Sequence, residues 1–290
     1  MGSIVYYGII KPISLLPFPI LLVIARFLFV ILFALGYRKK VVFTNLQNAF
    51  PQYSAGKINQ IGKQFYLHLC DLIMESIRIF SITKKEAIAR CRLRNPEVLD
   101  IFFEKGQNVI MAGGHYNNWE MLAVAINAQM KHHAIGIYSP LKDQFFNHKM
   151  IKSRSKFGLG LWAKKDVKPN FAAPGSQPIA VIFGFDQSPS SNQAYWTTFL
   201  QQDTAFQYGV EKYARQYNYP VVFTRIHKVK RGYYEIELEL MEENPAETPY
   251  GSVLERLIRL LEKDILDQPQ YWLWTHKRWK RKRTDTVTTN

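Results

Sequence analysis

Acidic residues and cysteine are the scarce components of this chain. Asp and Glu number 23 against 38 Lys and Arg in 290 residues, which leaves a formal charge of +15. An excess of that size selects an acidic partner: nucleic acid, anionic lipid or an acidic protein. Two cysteines, Cys70 and Cys91, exclude a disulfide-stapled domain and a Cys-rich metal centre. There is no internal repeat and no low-complexity tract. What the chain does contain is apolar surface, with 47% hydrophobic and 14% aromatic residues. That is too much for a disordered chain, and at this length it is enough to bury a sizeable core.

Charge is also nearly missing from one early stretch. Ile13–Gly36 reads ISLLPFPILLVIARFLFVILFALG, with Arg26 as its one charge. The length approaches the ~20 residues that cross a hydrocarbon core. Pro12, Pro17, Pro19 and Arg26 argue against a plain spanning helix, so the stretch either spans or lies in one leaflet as an interfacial helix. No small-x-small cleavage site comes after it, which disfavours a signal peptide. Arg38-Lys39-Lys40, set against Lys11 upstream, places the downstream chain in the cytoplasm, held at the inner face of a membrane of the cell. Residues 1–40 therefore read as a membrane anchor, 41–283 as the one domain it carries, and 284–290 as an unstructured tail.

Beyond Pro51 the pattern becomes regular. Ile58, Ile61, Phe65, Leu69, Leu72, Ser76 and Phe80 recur at helical spacing and predict an amphipathic helix over 57–80. His68, Cys70 and Glu75 within it read as packing or surface polarity. From Asn108 onward strands and helices alternate. Strands are expected at 109–112, 134–138, 179–185, 220–227 and 233–241, and helices at 118–130, 144–157, 208–217 and 251–267. The resulting fold class is α/β, a mixed, mostly parallel sheet flanked by helices.

The sharpest local feature is Gly113-Gly114-His115-Tyr116-Asn117-Asn118-Trp119-Glu120. A buried strand ends, two glycines turn the chain, and His115 is presented just before a helix capped by Asn117 or Asn118. Glu120, in the first turn, is placed to accept the Nδ1 proton and leave Nε2 as a general base. No serine or cysteine accompanies the pair, so the base would activate a hydroxyl or amine of the substrate. The bland alternative is a loop histidine and a helix-dipole carboxylate.

Further motifs accompany it: Leu15-Leu16-Pro17, Thr44-Asn45-Leu46 with Phe50-Pro51 close behind, Arg154 ahead of Gly158, Asp186-Gln187, and the block from Pro269 to Lys280 reading PQYWLWTHKRWK. Together they make the chain similar to the late acyltransferases of lipid A biosynthesis, of lauroyl/myristoyl type, from the N-terminus to about residue 283. The resemblance implies a glycerolipid-acyltransferase-like fold and transfer of a fatty acyl chain from acyl carrier protein to a hydroxyl of a lipid A precursor. It implies His115 and Glu120 as catalytic dyad, with Asn118, Arg154, Asp186, Gln187, Lys277 and Arg278 as substrate-binding or oxyanion residues. No metal or dissociable cofactor is implied, because the phosphopantetheine arm arrives with the donor. The chain departs from the family where it reads Tyr138-Ser139-Pro140 and Ser188-Pro189-Ser190-Ser191, both near the expected acceptor side. It lacks the H-x-x-x-x-D and Phe-Pro-Glu-Gly stretches of the glycerolipid branch.

The basic residues are then apportioned. Lys277 to Arg283, interleaved with Trp272, Trp274 and Trp279, have the composition of a nucleic-acid site or of an anionic membrane surface. The apolar N-terminus favours the membrane over nucleic acid. Lys142, Lys149, Lys152, Arg154 and Lys156 form a candidate dock for acyl carrier protein. The competing readings are the same chemistry on an aminolipid or aryl polyene acceptor, and a non-enzymatic basic membrane scaffold.

Overall fold

A computed structural model describes residues 2–189 and 194–283 of the chain; the tail expected at 284–290 lies outside the described residues. Residues 2–15 form short helical turns, and the apolar run then breaks at Leu16-Pro17. Helix α1 (Phe18–Ala34) comes next, ended by Gly36 at φ 69°, and α2 (Lys39–Ala49) leaves at a bend of 86°. No single helix among the described residues is long and apolar enough to cross a membrane; only this bent pair passes by length and composition. The break has a local cause, since Pro17 and Pro19 lack the donors that would continue the preceding turn.

The N-terminal region packs onto the rest of the chain. Phe18, Leu21 and Ala25 of α1 are buried against Cys70 and Met74 of α3 (Ala55–Arg78). Ser54 caps α3 by accepting from the Lys57 N–H, and its apolar stripe is the one expected from spacing. Two smaller helices, α4 (Lys84–Arg90) and α5 (Glu97–Glu104), lead into the sheet.

The described residues form nine strands: β1 (Cys91–Leu93), β2 (Val109–Gly113), β3 (His133–Tyr138), β4 (Gly160–Ala163), β5 (Ile179–Gly184), β6 (Ala194–Phe199), β7 (Gln202–Gln207), β8 (Val221–Lys230) and β9 (Tyr233–Glu242). Seven of them pair in the order β1-β9-β8-β2-β5-β3-β4, while β6 and β7 make a separate hairpin. All neighbours in the large sheet are parallel except β8 and β9. Central β2 has apolar partners on both faces: Ile110 and Ala112 enter one core cluster, Val109 and Met111 the other. That double burial is why Val109-Ile110-Met111-Ala112 is apolar without alternation. The flanking helices are α6 (Trp119–Ala125), α7 (Gln144–Ser155), α8 (Val167–Ala172), α9 (Gly209–Tyr217) and α10 (Ser252–Asp267).

Candidate active site

Strand register builds the site. β2 and β5 run parallel with Gly113 opposite Gly184, so the residues two positions beyond each, His115 and Asp186, emerge side by side. Asp186 is buried, and its Oδ1 lies 2.6 Å from His115 Nδ1. Its Oδ2 accepts from the His115 backbone N–H at 2.8 Å and from the indole N–H of Trp272 at 2.7 Å. Two glycines make the approach possible. A Cβ on Gly184 would stand 2.8 Å from His115 Cε1, and one on Gly114 would stand 2.6 Å from Leu261 and 3.3 Å from Asp186 Oδ2.

This geometry corrects the expectation for Glu120. Its carboxylate does not take the His115 Nδ1 proton; it grips Arg154, with Oε2 2.9 Å from Nε and Oε1 2.5 Å from Nη2. Asp186 orients the imidazole instead. Nothing local in the sequence links His115 to a residue beyond the next two strands; only the pairing of β2 with β5 does.

The electrostatics arise from these contacts. Burial alone would raise the Asp186 carboxyl, but the charge of His115 and three donated hydrogen bonds pull it down to about 2. Burial disfavours a charged His115, yet the Asp186 charge and hydrogen bond, helped by Glu120, outweigh it and raise its pKa above the ordinary imidazole value. The neutral tautomer carries its proton on Nδ1, toward Asp186. Nε2 is met by the side-chain amide of Gln187 at 3.1 Å, and Trp119 packs edge-on at 5.1 Å between ring centroids.

His115, Glu120, Arg154 and Gln187 line one cavity of about 830 Å³, a size typical of small-molecule sites. Much of its lining is apolar, including Leu122, Ile137, Leu159, Leu161, Val167 and Phe183. Lys164 and Lys212 stand on its lining, and both are exposed.

Other expected residues fall elsewhere. Asn118 caps α6, accepting from the Met121 N–H at 2.8 Å, and its Nδ2 donates to Glu75 Oε2 at 2.5 Å. Glu75 is buried and also accepts from Tyr234 at 2.7 Å, and burial pushes its carboxyl up to about 7. Helical spacing reads Glu75 as packing or surface polarity; in the fold it braces the loop that carries His115 through Asn118. Next to Asn118, Asn117 holds φ 56° through hydrogen bonds to Ile226 and Tyr271 carbonyls.

Within the tail block, Trp272 and Trp274 serve as internal scaffold, while Lys277, Lys280, Lys282 and Arg283 stay exposed. Trp272 and Trp274 are buried in mutual edge contact at 4.8 Å. Asn45 donates to the carbonyls of Trp274 and His276, and Phe50 packs on Trp274, so Thr44-Asn45-Leu46 and Phe50-Pro51 belong to the same support. Arg278 is 2% exposed, lies 4.3 Å from the centroid of the Phe206 ring, and has no hydrogen-bond partner among the described residues. It does not line the cavity, and neither does exposed Lys277. The basic run on α7 and its flanks is likewise divided: Lys149 sits among Tyr6, Tyr7 and Phe145, Lys156 donates to the carbonyls of Ile79 and Ile82, and Lys142 and Lys152 stay exposed.

The mixed sheet thus carries a carboxylate-oriented histidine on the lining of a largely apolar cavity. Residues 1–281 match the family "bacterial lipid A biosynthesis acyltransferase", and the chain belongs to that family. It is therefore an acyltransferase, and the family implies a lipid acceptor. Compared with curated proteins, the chain has no match.

Proposed function

We propose that this enzyme transfers a fatty acyl chain from acyl carrier protein to a hydroxyl of a lipid A precursor at the cytoplasmic face of the inner membrane. The observation that carries the reading is the 2.6 Å contact between His115 Nδ1 and Asp186, with His115 on the lining of a largely apolar cavity. His115 Nε2 takes the proton of the acceptor hydroxyl while the oxygen attacks the thioester carbonyl. The imidazolium is stabilised by Asp186, and its proton then goes to the leaving thiolate. Glu120 holds Arg154 side-on through Nε and Nη2, which directs the remaining guanidinium corner to an oxygen gaining negative charge. The acyl chain occupies the apolar end of the cavity, and Lys164 and Lys212 suit an anionic acceptor head.

Two surfaces support the partners. Most of the exposed large apolar side chains lie between Ile4 and Tyr37, including Phe27, Val30 and Leu35. With exposed Arg26 and Lys40 nearby, that face fits one leaflet of an anionic membrane. Lys142, Lys152, Lys165 and Lys168 are exposed and stand next in sequence to the cavity-lining residues Leu141, Ile151, Lys164 and Val167, an arrangement that suits an acidic carrier protein.

The test is transfer from dodecanoyl-acyl carrier protein to a panel of lipid A precursors, an aminolipid and an aryl polyene lipid, with His115→Ala alongside. We expect lipid A precursor to be acylated and His115→Ala to lower the rate by about 10³-fold or more. Unchanged turnover in His115→Ala sinks the mechanism, and acylation of only the other lipids sinks the acceptor.

A further inference from the structure

The base in this site is already occupied. With Nδ1–H committed to Asp186, the Nε2 lone pair is the single acceptor on the ring, and the Gln187 amide lies on it at 3.1 Å. Gln187 belongs to the segment leaving β5, one residue after Asp186, and its carbonyl is itself held by the Gln207 amide at 3.5 Å. Asp186 and Gln187 therefore grip the two imidazole nitrogens from adjacent positions of one loop. The Gln187 amide and His115 both line the cavity.

We propose that Gln187 is a latch on the catalytic base, released by the acceptor lipid, that biases the enzyme toward transfer and away from hydrolysis of the bound thioester. The inference rests on His115 being the base. For water to be activated it must displace the half-buried Gln187 amide from Nε2 and deprive it of that acceptor, a loss that one small molecule does not offset. An acceptor lipid buries apolar surface as it enters, and that burial offsets the displacement. The suppressed reaction is simple: water loses a proton to Nε2, its oxygen bonds to the acyl carbon, the C–S bond breaks, and the thiolate recovers the proton. Fatty acid and carrier thiol are released.

The test uses Gln187→Met, which keeps the side-chain length and removes the donor, in the purified full-length protein. With dodecanoyl-acyl carrier protein and no acceptor, thiol release should rise at least about fivefold over wild type. The ratio of hydrolysis to transfer in the presence of lipid A precursor should rise with it. An unchanged ratio, or a parallel loss of both rates, overturns the latch. A second readout needs no substrate: carbethoxylation of His115 by diethyl pyrocarbonate, mapped by mass spectrometry, should be several-fold faster in Gln187→Met. An equal rate also overturns the latch. Failure of the His115 reading looks different, because His115→Ala would then keep both hydrolysis and transfer.

Discussion

At the residue scale the site turns on which carboxylate touches His115. Asp186→Asn keeps the size of the side chain but removes the charge, and its amide can present N–H to Nδ1 and favour the wrong tautomer. The transfer rate should fall by about 10²-fold or more. The remaining activity should shift in pH. His115 titrates above the ordinary imidazole value because Asp186 favours its charged form, so wild-type kcat/KM rises with pH through a point above that value. Losing Asp186 lowers the imidazole pKa, and the rising limb should move to lower pH. A pH–rate profile of both enzymes checks the direction, and a limb that stays put or moves up would refute it.

Glu75 makes the opposite kind of prediction, about stability. Its folded pKa is raised to about 7 by burial, so its favourable contribution is complete below the unfolded carboxylate value. That contribution is lost as pH rises through 7. Glu75→Gln keeps acceptors for Asn118 and Tyr234 without the charge. It should be more stable than wild type at pH 8 by on the order of 2–3 kcal/mol, with the difference vanishing near pH 4. Denaturant midpoints at the two pH values measure it; equal midpoints at pH 8 would mean that Glu75 does not carry a buried charge.

At the scale of elements, the two parallel strands are the instrument that aligns the site. Gly184 ends β5 where the imidazole of His115 lies against the backbone. Gly184→Ala places a methyl 2.8 Å from Cε1, and the ring must move by several tenths of an ångström. We expect a fall in kcat of about 10- to 10²-fold with little change in Tm, read by steady-state kinetics and thermal unfolding. Full activity would show that the ring has slack.

The elements also show what local pattern conveys. The stripe of α3 and the apolar run of β2 appear where spacing puts them, because each depends on neighbours within a few positions; Gly113, expected in a turn, is instead the last residue of β2, opposite Gly184. The β6–β7 hairpin escapes the sequence pattern for a physical reason. Its two turn residues, Leu200 and Gln201, both adopt positive φ, at 48° and 61°, in the place where Asn-Gly usually signals such a turn. The helix expected to Met130 ends at Ala125, and Gln129 then donates to the Cys91 carbonyl and accepts from the Leu93 N–H. A contact with a distant edge strand thus accompanies the early ending of the local pattern.

For the whole molecule, the proposed membrane contact has to be made although no single helix among the described residues is long and apolar enough to cross a bilayer. α1 turns one face to Cys70 and Met74 and leaves Phe27, Val30 and Ile31 outside. The double variant Phe27→Glu, Val30→Glu should fold normally, since both side chains are exposed, and should lose most of its co-sedimentation with vesicles containing anionic lipid. Retention of binding would move the membrane contact elsewhere on the surface. Binding should also weaken with added salt, because part of the attraction comes from the net charge of +15.

The sequence by itself determined the α/β alternation, the presentation of His115 at a strand–helix turn and the abundance of apolar and basic residues. These come from periodicity, turn chemistry and composition, which act over short distances. Tertiary structure decided which carboxylate orients the base, since Asp186 reaches His115 only through the register of β2 on β5. It also decided that Glu120 serves Arg154, and that the tryptophans of the tail are buried supports, with Trp272 hydrogen-bonded to Asp186. Those assignments depend on residues far apart in the chain being brought within hydrogen-bond distance, and only packing of the sheet and its flanking helices brings them there.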